Sequence, residues 1–123
     1  MAGFIPQNAV VWAEIPVSDM ARAKAFYSAV VGNELKDQDG GPNPMSIFAA
    51  RDSESIAGNI YPGKPAPRGA GSTVHLAVDS IDAAMERVRA NGGEVVSPVV
   101  EIPAGRFVYC LDPDGNSIGV FSE

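Results

Sequence analysis

The chain carries one cysteine, one histidine and one tryptophan among its 123 residues, and these scarcities close off several explanations. A lone Cys110 forms no intrachain disulfide, so the fold must rest on its apolar core. The place of that cysteine inside the run Phe107 to Leu111 marks it as a small core hydrophobe rather than a nucleophile. Such cysteine usage fits a reducing compartment and a cytoplasmic location. Any imidazole chemistry must pass through His75, the single histidine. No apolar run approaches the ~18 residues of a membrane span. The stretch Met1 to Asn8 lacks the basic region and hydrophobic core of a secretory signal. Basic charge is also short, with 9 Lys and Arg against 15 Asp and Glu for a net charge of -6, and the basic residues are scattered. Neither nucleic acid nor an anionic membrane is an expected partner.

What the chain does contain is a pattern that returns. Residues 12–60 laid over residues 73–121 at one constant offset bring Ile15, Val17, Met20, Ala23, Tyr27, Gly32 and Leu35 onto Leu76, Val78, Ile81, Ala84, Val88, Gly93 and Val96. Ile47, Phe48 and Gly58 then fall on Val108, Tyr109 and Gly119. The match is one of apolar phase, and it predicts two copies of one module whose positions have counterparts.

Val10 to Val17 alternates as a strand, with Trp12, Glu14 and Pro16 on one face and Val11, Ala13, Ile15 and Val17 on the other. Pro16 lacks an amide hydrogen and places this strand at an edge or an end. Ser18 and Asp19 are capping residues, after which Met20, Ala23, Tyr27, Val30 and Val31 recur at helical spacing until Gly32. Residues 33–38, 45–51 and 55–61 read as three strands, interrupted by the turn-rich Asp37 to Pro44. Pro62 to Gly71 reads as a connector.

The second half opens with a strand over residues 72–79. A helix follows, capped by Asp79 or Ser80, carrying Ile81, Ala84, Met85 and Val88 and ending at Gly92 and Gly93. Strands are predicted at 94–97, 101–111 and 117–121. The last two are joined by Asp112-Pro113-Asp114-Gly115-Asn116, whose Pro-Asp-Gly core signals a tight hairpin turn rather than a calcium loop. The expectation is an α+β chain of two tandem βαβββ modules in one domain over residues 1–123. Module 1 spans about 8–61, a linker 62–71, and module 2 about 72–122. Disorder is expected at Met1 to Gln7 and in the linker.

The stretch Trp12 to Asp19, with Arg22-Ala-Lys-Ala-Phe-Tyr27 and Gly32, resembles the opening of the vicinal oxygen chelate superfamily. That superfamily holds glyoxalase I, bleomycin-binding resistance proteins, fosfomycin resistance enzymes and extradiol dioxygenases. Gly105 to Ile118 is similar to its closing hairpin, and Val78 to Asp82 with Gly92-Gly93 match its second module. The resemblance implies two βαβββ modules curled into a cup, built within one chain or across a homodimer. It implies fold more than activity, because one scaffold hosts many chemistries.

Metal-using members take ligands from the first and last strand of each module. The resemblance places the first-strand positions at Trp12 and Thr73 and the last-strand positions at Gly58 and Gly119. A one-residue slip brings Asn59 and Val120 there instead. A divalent ion needs several imidazole or carboxylate donors converging on one point, which these residues do not supply. The expected cofactor set is therefore empty, with a divalent metal recruited by Glu14 and His75 as the alternative.

Glu14 and His75 are counterparts, each two residues beyond an implied ligand position and on the same strand face. Both are expected to point into the cup. A carboxylate and an imidazole there suit proton transfer, and they equally suit a satisfied polar pair or a ligand anchor. Trp12, Phe48, Tyr61 and Tyr109, with the polar Asn59 and Thr73, are candidates to bind a small flat or amphipathic molecule. Three functions follow: metal-independent binding of a small organic molecule, as in the bleomycin-binding branch; a glyoxalase-related lyase or isomerase acting on a small carbonyl compound through Glu14 and His75; or a dimeric scaffold with a filled cup. Authentic glyoxalase I, fosfomycin transfer and extradiol cleavage are disfavoured by the missing ligands.

Overall fold

The computed structural model describes residues 3–39, 41 and 43–123. The disorder expected at Met1 and Ala2, and the Gly40 and Pro42 portion of the predicted turn, lie outside the described residues. The chain runs β1 (Ala13–Val17), α1 (Met20–Val31), β2 (Lys36–Gln38), β3 (Met45–Ile47), β4 (Gly58–Pro62), β5 (Val74–Ala77), α2 (Ile81–Ala90), β6 (Glu94–Val95), β7 (Val100–Ile102), β8 (Gly105–Leu111) and β9 (Ser117–Ser122).

Local chemistry explains the helix ends. The Asp19 carboxylate accepts the Arg22 amide and starts α1. Gly32, at φ 76°, closes it by donating its amide to the Ser28 carbonyl, a left-handed geometry that glycine adopts without a Cβ clash. Ser80 starts α2 by accepting from the Ala83 amide.

Two mixed sheets form, ordered β1-β4-β3-β2 and β5-β9-β8-β6, with β7 paired to β8; neither closes into a barrel. The pairs β1 with β4 and β5 with β9 are parallel, and the remaining pairs antiparallel. β1 is an edge strand, as Pro16 requires. Each helix packs on the sheet of its own half, and the helices pack on each other. A single core results, drawing Ile15, Val17 and Ile60 from one sheet, Val108, Ile118 and Val120 from the other, and Phe26, Tyr27, Val30, Ala84 and Val88 from the helices.

Several expectations need correction. The strand predicted over 101–111 is two strands, because the chain folds back at Pro103-Ala104 and β7 pairs with β8 through Val100 and Phe107. β1 starts at Ala13 rather than Val10, and Val10 and Val11 are exposed. Strand structure is also absent from residues 33–35 and 48–51.

The single constant offset fails as well. Glu14 faces Asn59, whereas His75 faces Gly119, so the counterpart of Asn59 is Gly119 and not Val120. Burial agrees, since Gly58, Asn59 and Ile60 match Ile118, Gly119 and Val120 in sequence. The physical reason is the connection before the last strand. Ile47 reaches its partner Asn59 through a longer loop than the Asp112 to Asn116 turn that brings Tyr109 to Gly119.

That turn also joins the halves. Gly115, at φ 86°, allows its amide to bond the Asp112 carbonyl at 2.9 Å. The Asp112 carboxylate accepts from the Tyr27 hydroxyl of α1 at 2.7 Å, the amides of Asp114 and Asn116, and Asn116 Nδ2. Asn116 Nδ2 donates further to the Pro16 carbonyl at 2.8 Å, and Asp114 accepts from Ser18 and Arg22. Burial pushes the Tyr27 phenol well above its ordinary range, and the Asp112 charge pushes the same way.

Candidate functional site

A cleft of about 750 Å³ opens beside the edge strands β1 and β5. Val10, Val31, Phe48, Ile56 and Leu76 contribute to its apolar wall, Glu14 and His75 stand on β1 and β5, and Trp12 and Thr73 immediately precede those strands. Five of the residues expected to form a site therefore meet in one cavity: Trp12, Glu14, Phe48, Thr73 and His75. Asn59, Tyr61 and Tyr109 are not among its lining residues.

Each side chain has a local reason for its place. Phe48 follows β3 and is held from behind by the edge of the Tyr27 ring at 5.5 Å, so it presents a rigid apolar floor. Thr73 Oγ1 shares a 2.6 Å hydrogen bond with Ser117 Oγ. Trp12, 43 % exposed, precedes β1 and donates its indole N–H to Asn59 Oδ1 at 2.7 Å. Asn59 lies on β4 opposite Glu14, fully buried. Tyr61 is two residues farther along the same face of β4, opposite Pro16.

His75 owes its pose to a glycine. A Cβ on Gly119, its partner across β5 and β9, would lie 2.2 Å from His75 Nδ1, so only a glycine leaves room for the imidazole against the sheet. From there the ring meets the edges of Phe107 at 5.3 Å and Tyr109 at 5.8 Å. Phe107 and Tyr109 touch each other at 5.3 Å. The imidazole thus leans along its own sheet, toward β8. Among the described residues no hydrogen bond or ion pair joins Glu14 to His75.

The donors present do not make a metal centre of the superfamily type. Trp12 has no lone pair to offer, Gly119 offers no side chain, and Asn59 is already committed to Trp12. Among the described residues no group of three or more His, Cys, Asp or Glu converges. Cys110 lies on the core side of β8, 0 % exposed, and burial pushes its thiol up to about 11, which leaves it an unreactive core residue. Arg51 is exposed in a loop, and neither it nor Arg106 lines the cleft.

Sequence reasoning missed Phe107 and the wall residues Val10, Val31, Ile56 and Leu76. Strand alternation carried a signal for Phe107, since it shares a face with Tyr109. No periodicity could have revealed that Val31, at the end of α1, meets Leu76 of β5 in one cavity.

The sequence pattern of the Glyoxalase/Bleomycin resistance protein/Dioxygenase superfamily matches residues 9–120. The protein CFP32 of Mycobacterium tuberculosis, which carries a provisional glyoxylase designation, is 33% identical over 116 residues. That match covers 89% of this chain but 44% of CFP32, so the chain spans less than half the length of this relative. A glyoxalase/bleomycin resistance protein from Albidiferax ferrireducens has the same fold, with TM-score 0.73, 24% identity, and coverage of 94% of this chain and 99% of that one. TnmS3, an antibiotic binding protein from a Streptomyces species, superposes with TM-score 0.64 at 29% identity, covering 97% of this chain and 98% of its own.

Proposed function

The chain belongs to the glyoxalase/bleomycin resistance protein/dioxygenase superfamily, and from that premise we propose that it binds a small organic molecule, without a metal ion, in the cleft beside β1 and β5. The observation that carries this reading is the make-up of the cavity: about 750 Å³, with an apolar wall from Val10, Val31, Phe48, Ile56 and Leu76 and polar groups from Glu14, Asn33, Ser72, Thr73 and His75. That volume and composition suit an apolar or aromatic body with a small number of anchored polar atoms. The likeness to TnmS3, named an antibiotic binding protein, supports the same class of function. In this reading Trp12, Phe48 and Thr73 contact the ligand, and Glu14 and His75 anchor its polar groups.

The reading extends to assembly and location. Each sheet turns one face to the shared core and leaves residues such as His75 and Tyr109 exposed on the other. A homodimer of two such chains, each built of two copies of one module, would cover these faces; Tyr61 and Tyr109, outside the cleft of one chain, would then line a cup completed by the partner. The compartment in this reading is the cytoplasm. Among the described residues no helix is long and apolar enough to cross a membrane. Light scattering tests the assembly, and a mass near 12.8 kDa at micromolar concentration would overturn it.

A thermal-shift screen of small aromatic and cationic compounds, run with and without EDTA, tests the binding. The expected result is a rise in melting temperature that survives the chelator, because whatever binds only the native state stabilises it. About one tightly held ion per chain in elemental mass spectrometry, after incubation with nickel, zinc, manganese or iron(II), would refute the metal-free part. A second reading rests on Glu14 and His75 lining the same cleft: proton transfer on a small carbonyl compound. Turnover abolished by both Glu14→Gln and His75→Ala, with binding retained, would favour that second reading.

A further inference from the structure

The Asn59 amide has one half satisfied and one half not. Its Oδ1 accepts the Trp12 indole N–H at 2.7 Å. An indole N–H is only a donor, so this bond fixes which end of the amide faces Trp12. Nδ2 is the remaining end, and it is the one buried side-chain polar atom without a hydrogen-bond partner among the described residues. A buried donor left unpaired is costly, and such groups call for an explanation.

The surroundings supply one. Gly58, the residue before Asn59, lines the cleft, as do Glu14, its partner across β1 and β4, and Trp12, which is bonded to it. Asn59 therefore sits directly behind the cavity wall. Trp12 lies outside the strand ladder, since residues 3–12 have no regular structure, and its neighbours Val10 and Val11 are 71% and 67% exposed. One side-chain hydrogen bond and partial burial hold it there, so its displacement breaks no backbone ladder.

We infer that Trp12 is a movable cover and that Asn59 Nδ2 beneath it is the anchoring donor for a ligand bearing a neutral acceptor oxygen, such as a ketone or amide, on an apolar body. The inference rests on the cleft-binding reading above. Three features select this chemistry. An amide NH2 demands an acceptor, the Glu14 carboxylate on the same strand face opposes an anionic one, and the apolar walls favour an uncharged body.

The test uses two probes of one shape, acetophenone and α-methylstyrene, in which a C=O of the first is a C=CH2 of the second. Both are titrated into 15N-labelled protein. The chain has 1 Trp, so its indole N–H resonance belongs to Trp12. Acetophenone is expected to bind about tenfold more tightly, the scale of one well-made hydrogen bond. It should also shift both the Asn59 side-chain NH2 and the Trp12 indole resonances. Asn59→Leu should bring the two affinities together, while Trp12→Phe should keep the preference. Should Asn59→Leu fail to fold, the wild-type probe comparison with the Asn59 resonance decides alone. Equal binding of the two probes in the cleft overturns the inference and leaves the cleft reading standing, as does a preference that persists in Asn59→Leu. The absence of any shift in cleft resonances with either probe overturns both.

Discussion

Replacing Tyr27 by phenylalanine removes one oxygen and tests how the two halves are held together. The hydroxyl is on α1, fully buried, and donates at 2.7 Å to Asp112 in the turn before β9. Asp112 is itself 2% exposed and takes three further donors, the amides of Asp114 and Asn116 and the Asn116 side chain. The variant leaves the carboxylate with those three, so the loss is one hydrogen bond to a buried carboxylate, about 2 kcal/mol. For a domain of this size that lowers the melting temperature by about 7 °C.

The pH dependence gives a second reading of the same bond. Burial, then Asp112, raises the Tyr27 phenol above its usual value of 10.0 in the folded state. The folded protein therefore keeps this proton when the unfolded chain has lost it. The stabilisation is complete below about pH 10 and falls as pH rises toward the folded value, by about 1.4 kcal/mol per pH unit. Cys110, raised to about 11, adds a slope of the same sign from lower pH in both proteins, so it cancels in the comparison. Urea unfolding of wild type and Tyr27→Phe from pH 7 to 11 measures both effects. A variant within about 0.5 kcal/mol of wild type at pH 7, with the same alkaline slope, would show that the bond does not hold the halves together.

Three further perturbations probe the elements that carry the cleft. Gly58→Ala puts a Cβ 2.4 Å from the Ala13 carbonyl oxygen, a backbone atom that cannot turn aside, and should cost about 3 kcal/mol while loosening β1 from β4; a urea midpoint close to wild type would contradict this. Gly119→Ala meets the His75 ring, which is exposed and can swing away, so the loss is smaller, about 1 kcal/mol. The ring-current shifts of the His75 protons against Phe107 and Tyr109 should collapse, and unchanged shifts would refute the seat assigned to Gly119. Asp19→Ala removes the α1 cap and should cost about 1 kcal/mol in denaturant unfolding, with no measurable loss refuting the capping role.

Much of the fold was legible because it is written in local chemistry. Asp19 and Gly32 mark α1 through capping and left-handed backbone, and Pro16 marks an edge through its missing amide hydrogen. The hairpin at Asp112 to Asn116 is announced by its own turn residues. The break at Pro103-Ala104 escaped because only Glu101 and Ile102 of the predicted run precede it, too short a piece to read as a separate strand, and alternation alone does not say where a strand reverses. The slip between Asn59 and Val120 escaped because apolar phase survives an error in loop length, while register does not.

The sequence by itself determined the family, the place of both helices and of most strands, and the presence of a carboxylate and an imidazole at matching places on the two first strands. Those properties follow from residue type and near-neighbour spacing. Only the tertiary structure decided how the candidates are used: Glu14 and His75 line one cleft without bonding to each other, His75 lies over Gly119 against Phe107 and Tyr109, and Asn59 is buried beneath Trp12. These arrangements depend on contacts between residues far apart in the chain. Strand pairing across each sheet and the packing of the two halves set them, and neither can be read from the spacing of residues along one strand.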